Sequence, residues 1–293
     1  MIKFLHQISL EISFRVKSLL PGDQVWEVFG NVIHLPRSHR LPTLQKVFPK
    51  YDKYFEPIFN TLAMEYSEAT FIDIGANVGD TSLAVHACAP EFQIISVEGS
   101  ETFVPYLIRN LDLIKSEHIA VTRFVRCDQV VGRKYSDNGS TGGFKNTSSN
   151  SNSTMQLTTV QEILGLAKKE FKIWKSDTDG LDIPILLENL DALNKSCAVW
   201  WLEIDPSFAS TDAHSVMDFA RVVSQTQRSY LLFDNYGNFL SSGDHNNIEV
   251  VMADWCTKLA EKKRRGRNDI MYLDIFTFDL ASHPNLANVM NLY

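Results

Sequence analysis

The chain has 293 residues, of which 44% are hydrophobic and 22% are charged, so it is long enough and apolar enough to bury a sizeable core. Its formal net charge of −7 argues against attraction of nucleic acid over the whole surface, and we expect no nucleic-acid partner. No stretch is long and apolar enough for a bilayer span, so we expect no transmembrane segment.

The first 60 residues predict a helical N-terminal extension. Apolar residues recur every three or four positions from Ile2 to Leu20, which is the spacing of an amphipathic helix. Charged residues interrupt this run and no small-residue cleavage site follows it, so a signal peptide is not predicted. Packing against the rest of the chain is favoured over a membrane-surface or partner helix. A single domain over residues 61–293 is expected to follow.

From residue 70 onward, short apolar runs alternate with helical patterns, which indicates an α/β fold with a parallel sheet and crossover helices. Strands are predicted near 70–75, 93–98, 121–127, 170–176, 198–204, 229–234 and 270–279. Helices are predicted near 80–89, 101–115, 158–168, 182–193, 212–226 and 248–264. The last strand alternates apolar and polar residues, so a sheet that ends in an antiparallel strand fits the pattern.

Residues 136–154 consist almost wholly of Ser, Thr, Asn and Gly. Such a segment buries too little apolar surface to offset the entropy of ordering, which predicts a flexible insert between the third and fourth strands. Two interpretations remain open, a mobile flap beside a substrate and a plain disordered insert.

Residues 70–80 are the most informative stretch of the chain. An apolar strand runs into Gly75-Ala76-Asn77-Val78-Gly79, and a helical pattern begins at Asp80. Glycine at 75 and 79 allows a sharp turn and a close approach of the backbone to a ligand. A second acid, Glu98, ends the next predicted strand, where a carboxylate can accept hydrogen bonds from two adjacent ribose hydroxyls.

The turn differs from the dinucleotide fingerprint, which needs Gly-x-Gly-x-x-Gly. Asn77 replaces the middle glycine, and Asp73 and Asp80 place negative charge on both sides of the turn. This charge suits a cationic sulfonium better than a pyrophosphate, and we therefore predict an S-adenosylmethionine (SAM) site. A dinucleotide site and a structural turn without a ligand remain the alternatives.

A second acidic cluster follows the predicted strand at 170–176. Asp177, Asp179 and Asp182 lie within six residues, at the carboxyl edge where ligands bind in open α/β sheets. Asp177 is the last strand residue and is predicted to contact the ligand or substrate. Asp179 or Asp182 is alternatively a helix cap.

Glu203 ends the next strand and is predicted, with Asp177, as a catalytic carboxylate that accepts a hydroxyl proton. Carboxylates could also hold Mg²⁺, but no ligand cage with fixed spacing exists and no metal site is predicted. The basic run at 258–267 is either the solvated end of a helix or a patch for anions. The four cysteines show no metal or disulfide spacing, which predicts reduced thiols and a cytoplasmic protein.

With these residues in view, the chain resembles the FkbM family of SAM-dependent methyltransferases. The resemblance rests on Phe71 to Ser82, Val97-Glu98, Arg109-Asn110-Leu111, Thr158-Thr159-Val160, Lys175 to Gly180 and Trp201 to Ile204. It covers roughly residues 55–280. One departure is Gly99-Ser100, where the family commonly has proline after the ribose-binding acid.

The resemblance implies a Rossmann-like class I methyltransferase fold, with a seven-stranded, mostly parallel sheet and an antiparallel last strand. By motif position it implies that Glu98 holds the ribose and that Asp128 meets the adenine amino group. The methionine half would be held by Asp73, Gly75, Asn77 and Gly79. The predicted cofactor-binding set also includes Ala76, Asp80, Thr81, Gly99 and Asp177.

The resemblance further implies O-methylation of a hydroxyl on a sugar, a polyketide or a related metabolite. A small-molecule or glycan acceptor is therefore the expected partner, and its identity and the oligomeric state are not encoded in a recognisable motif. Two rival functions stay open. One is a catalytically inactive SAM-binding or interaction module, and the other is a nicotinamide-dependent oxidoreductase.

Overall fold

A computed structural model describes residues 22–130, 133–146, 155–205, 213–264, 270 and 272–293 of the chain. The amphipathic helix predicted over the first twenty residues lies outside this part. The last residues of the basic run at 258–267 also lie outside it.

The centre of the molecule is an eight-stranded sheet with strands in the order β13-β12-β14-β11-β10-β3-β4-β5. Six strands share one direction, and β14 and β13 run antiparallel to their neighbours. The bounds of these strands are β3 Thr70–Ile74, β4 Gln93–Val97, β5 His118–Val121, β10 Lys172–Ser176, β11 Val199–Ile204, β12 Ser229–Asp234, β13 Phe239–Gly243 and β14 Leu273–Phe278. This is the predicted Rossmann-like α/β architecture with a mostly parallel sheet, with one strand more than expected.

Helices cover both faces of the sheet, and several begin where the sequence provides a starting signal. Pro42, Pro57 and Pro105 lie in first helical turns, where the missing N–H costs no hydrogen bond. Thr159 and Glu162 form a reciprocal capping box. The helices are α1 Leu41–Val47, α2 Glu56–Glu65, α3 Asp80–Cys88, α4 Val104–Leu111, α5 Val160–Leu166, α6 Asp182–Glu188, α7 Leu190–Ser196, α8 Ala213–Gln225, α9 Ile248–Arg264 and α10 Ala287–Met290.

The core has two layers, one on each face of the sheet. Trp200 and Trp201 are consecutive in β11 and therefore point to opposite faces. Trp201 stacks on Phe276 of β14 with ring centroids 4.6 Å apart, whereas Trp200 lies in the layer that also contains Trp174. Strands β3 and β4 are buried along their whole length, as expected for parallel strands covered on both faces.

The chain order creates a crevice at one edge of the sheet. From β3 the chain proceeds outward through β4 and β5, and it then returns to β10 on the other side of β3. Connections that leave β3 and β10 in opposite directions open a crevice outside their carboxyl ends. The glycine turn and Asp177 follow these two strands directly, so both lie at this crevice.

The structure corrects four sequence-based expectations. Residues 1–60 are not uniformly helical, because β1 Asp23–Val28 and β2 Asn31–Pro36 form an antiparallel hairpin. The third sheet strand covers His118–Val121 rather than 121–127, and β6 Phe124–Val125 pairs instead with β9 Leu157–Thr158. The eighth strand, β13, returns from β12 through the turn at 235–238.

The fourth correction concerns the predicted flexible insert at 136–154. Its first part belongs to an antiparallel hairpin of β7 Arg133–Asp137 and β8 Gly142–Asn146. Residues 147–154 lie outside the described part of the chain. Hydrogen bonds from this hairpin to Asn77, Ser100 and Asp179 give a polar segment a defined position.

Candidate functional site

The turn after β3 has the backbone conformation that its glycines predict. Gly75, Asn77 and Gly79 all have positive φ angles, of 74°, 51° and 85°. A Cβ at position 75 would overlap the carbonyl oxygen of Asp177 and lie 2.8 Å from its carbonyl carbon. Position 75 therefore needs glycine both for its left-handed conformation and for close contact with the end of β10.

The amides of this turn bind the neighbouring strand β4. The N–H groups of Gly75 and Ala76 both donate to the Val97 carbonyl oxygen at 3.0 Å. The N–H of Asn77 donates to Oε2 of Glu98 at 3.0 Å. The turn thus holds the Glu98 carboxylate directly, although the two residues are 21 positions apart in the chain.

Glu98 is the best-positioned acid in the crevice. Its Oε1 accepts a hydrogen bond from the Ser100 N–H at 2.7 Å, so a backbone N–H fixes each carboxylate oxygen. Burial raises the pKa of Glu98 to about 7, although the hydrogen bonds from Ser100 and Asn77 oppose this shift. Each oxygen keeps a further lone pair, so the carboxylate can still accept hydrogen bonds from two adjacent hydroxyls.

Glu98 lines a cleft with an empty volume of about 550 Å³. Five predicted cofactor-binding residues line it together: Gly75, Asn77, Glu98, Gly99 and Asp177. The rest of the lining is largely apolar or aromatic and includes Val97, Phe103, Phe124, Val125, Tyr135, Phe144, Leu181 and Ile185. The cleft therefore combines a polar end at Glu98 and Asp177 with an apolar wall, as ligand sites commonly do.

Gly99 has a packing reason for departing from the proline that the family resemblance led us to expect. A Cβ at position 99 would overlap the aromatic ring of Phe124. The ring of Phe124 thus lies directly on the backbone beside Glu98. Any larger residue at 99 would push Phe124 away from the cleft wall.

Asp73 does not line this cleft, although it was predicted to bind the cofactor. Its side chain is completely buried, and its Oδ1 accepts a hydrogen bond from Lys175 Nζ at 2.9 Å. Its Oδ2 accepts a hydrogen bond from Ser82 at 2.7 Å. The carboxylate therefore links β3 to β10 and to α3, and in this way it stabilises the elements on which the glycine turn rests.

Four other predicted cofactor residues occupy positions around the turn. Ala76 is almost completely buried, and Gly79 precedes the first residue of α3. Asp80 lies in the first turn of α3, where burial raises its pKa to about 6. Thr81 lines a second cavity, described below.

Asp128 lies away from the cleft. Its side chain is exposed, and its backbone N–H donates to both carboxylate oxygens of Glu188 at 3.1 and 3.0 Å. The strand β5 ends at Val121, several residues before the predicted end at 127. The segment that follows β5 into the cleft is therefore Arg123-Phe124-Val125, and Asp128 lies beyond it. The side chains of Arg123, Phe124 and Val125 therefore lie where the resemblance placed a carboxylate.

The three acids after β10 have different surroundings. Asp177 has a side chain that is 45% exposed and lies 3.5 Å from Lys175 Nζ. Asp179 accepts a hydrogen bond from the Gly142 N–H, and burial raises its pKa to about 7. Asp182 is buried and accepts hydrogen bonds from Ser176 and Thr178, so it organises the turn that leads into α6.

A second cavity, with an empty volume of about 350 Å³, adjoins the first. Asp177 lines both cavities and therefore stands where they meet. Glu203, the other predicted catalytic acid, lines the second cavity with Lys175 and Trp201. Residues that were not among the predicted site residues complete the lining: Tyr51, Asp52, Tyr54, Asn235, Gly237, Tyr272 and Asp274.

The acids of this second cavity repel one another. Glu203 and Asp274 are directly opposite across the antiparallel pair β11–β14. Burial raises the pKa of Asp274 to about 7 and that of Glu203 well above its ordinary value, and the charge of Asp177 adds to both shifts. Lys175 is the cation among these lining residues, and it already pairs with Asp73 at 2.9 Å.

His39 supports the glycine turn and was not found from the sequence. Its Nδ1 accepts a hydrogen bond from the Leu41 N–H at 3.3 Å, so its Nε2 is left to donate to Oδ1 of Asn77 at 3.2 Å. Burial lowers the pKa of His39 to about 4, which keeps the ring neutral near pH 7. No motif in the sequence around His39 indicated this contact, because it joins residues 38 positions apart in the chain.

Two features are absent from the described residues, a metal-binding cluster and a membrane-spanning helix. Within that part of the chain, no group of three or more His, Cys, Asp or Glu side chains is arranged to hold a metal ion. Among the described helices, none has the length and hydropathy needed to cross a bilayer.

The sequence matches no protein-family model and no curated protein. Solved structures that resemble the chain include the plantazolicin methyltransferase BpumL in complex with SAH, at 9% identity, with 82% of this chain and 88% of that chain covered and a TM-score of 0.39. Precorrin-6y C5,15-methyltransferase from Geobacter metallireducens GS-15 is 11% identical, with 75% and 85% covered and a TM-score of 0.36. The plantazolicin methyltransferase BamL, with a triazolic desmethylPZN analog and SAH, is 8% identical, with 83% and 90% covered and a TM-score of 0.40. Likenesses this distant leave the function to be argued from the cleft itself.

Proposed function

We propose that the protein is a SAM-dependent methyltransferase that transfers a methyl group to a hydroxyl of a sugar, a polyketide or a related small metabolite. One observation carries this proposal. The Glu98 carboxylate is fixed by the N–H groups of Asn77 and Ser100 beside the glycine turn, and it faces a cleft with an apolar wall. A nucleoside with two free ribose hydroxyls fits this combination of acceptor and wall.

The residues present fit SAM better than a dinucleotide. The N–H groups of Gly75 and Ala76 are already bonded to the Val97 carbonyl, so they are not free to receive a pyrophosphate. The cleft lining also holds three carboxyl groups, of Glu98, Asp177 and Asp179, against the cation Arg123, and this excess of acids favours a cationic ligand over a diphosphate. When bound, SAM supplies a methyl group attached to a positively charged sulfur.

Within this proposal, Glu98 holds the ribose and Asp177 faces the junction of the two cavities. The second cavity then receives the acceptor. Asp177 accepts the proton of the acceptor hydroxyl, because it is the acid that lines both cavities. Glu203 has a raised pKa, so in place of the predicted role as proton acceptor it is suited to donate a hydrogen bond to an oxygen atom of the methyl acceptor near neutral pH.

The Asp177→Asn variant tests these roles. Loss of the proton acceptor is expected to lower turnover by about 10² or more, whereas affinity for S-adenosylhomocysteine should change by less than about threefold. A panel of hydroxyl acceptors with labelled SAM gives the turnover, and calorimetry gives the affinity. Turnover that stays at the wild-type level would remove Asp177 from the catalytic role.

Two rival functions are separated by these assays together with thermal denaturation. An inactive binding module would bind S-adenosylhomocysteine and release no methyl product with any acceptor. A nicotinamide-dependent oxidoreductase would be stabilised against heat by NAD or NADP, because a ligand that binds only the folded state raises its melting temperature.

Several finer assignments accompany the proposal. Membership of the FkbM family is inferred from motif resemblance, and cytoplasmic location from the reduced cysteines, which are unpaired in the structure. The division at residue 60 is likewise a proposal. The hairpin of β1 and β2 is tied to α4 by Asn110, which bonds both N–H and C=O of His34, so the early segment shares contacts with the main domain.

A further inference from the structure

The hairpin of β7 and β8 bridges the two rims of the cofactor cleft. On one rim, Nδ2 of Asn77 in the glycine turn donates to the Ser140 carbonyl oxygen at 3.0 Å. On the other rim, the Gly142 N–H donates to Oδ2 of Asp179 at 3.2 Å. The hairpin therefore closes a side of the cleft that the sheet and its helices leave open.

Further hydrogen bonds fix the hairpin between these rims. Oδ2 of Asp137 accepts from the hydroxyls of Ser100 and Thr102 at 3.1 and 3.0 Å. The Ser140 hydroxyl accepts from the Arg40 N–H at 3.1 Å. These bonds join the hairpin to Ser100, which follows closely after Glu98, and to Arg40, which precedes α1. The hairpin therefore has a defined position although its own sequence is polar.

Three aromatic rings line the inner side of this region. Tyr135 and Phe144 belong to the hairpin, and their ring centroids lie 4.7 and 5.2 Å from that of Phe124. The two hairpin rings are 5.4 Å apart. Such tilted and edge-on pairs are favourable arrangements, and all three rings face the cavity that Glu98 also lines.

We propose that the hairpin is the nucleobase-binding wall of the cleft, and that Tyr135 and Phe144 contact the base. This inference rests on the proposed SAM site. Phe124 lies on Gly99, next to the acid that would hold the ribose, so a base attached to that ribose lies within reach of the rings. Aromatic faces bind any purine by stacking and need no carboxylate. The wall thus takes the role that the family resemblance implied for Asp128.

Two neighbouring glycines provide a matched test of this wall. A Cβ at Gly142 would overlap the Tyr135 hydroxyl and lie 2.8 Å from the ring carbon Cε2, so alanine there must displace Tyr135. A Cβ at Gly143 would meet no atom within 4 Å. Both glycines are in β8, and neither has a positive φ angle. The two substitutions therefore differ in their effect on Tyr135 and on the cleft itself, which Gly142 lines and Gly143 does not.

The experiment compares the full-length wild type, Gly142→Ala and Gly143→Ala by calorimetry with S-adenosylhomocysteine and with methylthioadenosine. Methylthioadenosine keeps the base and ribose but lacks the amino-acid part. Gly142→Ala is expected to lower the affinity for both ligands by about tenfold or more, as expected when one stacked ring is lost. Gly143→Ala is expected to stay within about twofold of the wild type. Phe144→Ala provides a second variant, with an equal expected loss for both ligands, if Gly142→Ala folds poorly.

Two results would overturn the inference. If the wild type binds both ligands and the Gly142 and Phe144 variants bind them with unchanged affinity, the hairpin does not contact the base, whatever happens to the melting temperatures. If the wild type binds neither ligand, the proposed SAM site is wrong, and the assignment of the nucleobase-binding wall is wrong as well. The wild-type titration therefore separates failure of the site from failure of the wall.

Discussion

Folding stability should depend on pH through the partly buried acid pair Glu203 and Asp274. The pKa of Asp274 is raised from its ordinary value of 3.8 to about 7 in the folded protein, chiefly by burial and then by the charge of Asp177. The folded state therefore holds this proton more tightly than the unfolded chain does. Its contribution to stability is fully present below pH 3.8 and is lost as the pH rises through about 7.

The size of this effect follows from the raised pKa. Between pH 5.5 and pH 8, the loss accumulates over about 1.5 pH units, up to the folded-state pKa, at ~1.36 kcal/mol per unit. The free energy of unfolding should thus fall by about 2 kcal/mol over this interval because of Asp274 alone. In Asp274→Asn the ionisable group is absent, so this part of the pH dependence is absent too. The difference in unfolding free energy between the variant and the wild type should therefore shift by about 2 kcal/mol in favour of the variant from pH 5.5 to pH 8.

Urea denaturation of the wild type and Asp274→Asn at pH 5.5 and 8 measures this difference. Asp191→Asn, which changes an exposed acid at the start of α7, is the control and should shift stability equally at both pH values. If Asp274→Asn and the wild type show the same change between pH 5.5 and 8, the Asp274 carboxyl is not held protonated in the folded protein. The description of the second cavity as a repulsive acid site would then be wrong.

Two further substitutions test the support of the glycine turn. Gly75→Ala combines a left-handed conformation with overlap on the Asp177 carbonyl, and it should lower the free energy of unfolding by at least ~2–3 kcal/mol. Its control is Gly30→Ala, which has a similar φ of 77° and no atom within 4 Å of the added Cβ. This control should lose only the conformational part, ~1 kcal/mol. Equal melting temperatures for the two variants would contradict the contact with β10. Lys175→Met strands a buried carboxylate at Asp73 and should lower the free energy of unfolding by ~3–5 kcal/mol in urea. Lys169→Met breaks only an exposed ion pair and should cost under ~1 kcal/mol, so similar losses in the two lysine variants would refute the buried pair.

The main sheet could be predicted because its signals are local. Short apolar runs such as Thr70–Ile74 and Gln93–Val97 are buried on both faces, and they end at the residues where the crevice opens. The position of Glu98 and Asp177 at the cleft could be predicted for the same reason, since a polar residue that ends a parallel strand lies at the carboxyl edge of the sheet. The positive φ angle of Gly75 is also a local property.

The partners of these residues could not be predicted, because they are distant in the chain. Lys175 reaches Asp73 across 102 positions, and this contact turns a predicted cofactor ligand into a structural carboxylate. Asp274 faces Glu203 only because β14 inserts beside β11 in antiparallel register. No periodicity within either strand reveals which strand will be its neighbour.

The two hairpins were missed for different reasons. Residues 23–36 alternate exposed and buried positions around a turn at Phe29-Gly30, so the period-two signal of a hairpin was present and could have been used. The hairpin at 133–146 has no such signal in its polar half. Its order comes from bonds to Asn77, Ser100 and Asp179, which are tertiary contacts.

Titration of the wild-type protein with S-adenosylhomocysteine tests the central claim most directly. Calorimetry should show saturable binding at one site per chain, and Glu98→Ala should weaken it by at least about tenfold, because the substitution removes the acceptor for two ribose hydroxyls. Equal affinity in the two proteins would contradict the assignment of Glu98. Absence of binding to the wild type, or saturable binding of NAD in its place, would contradict the SAM site itself.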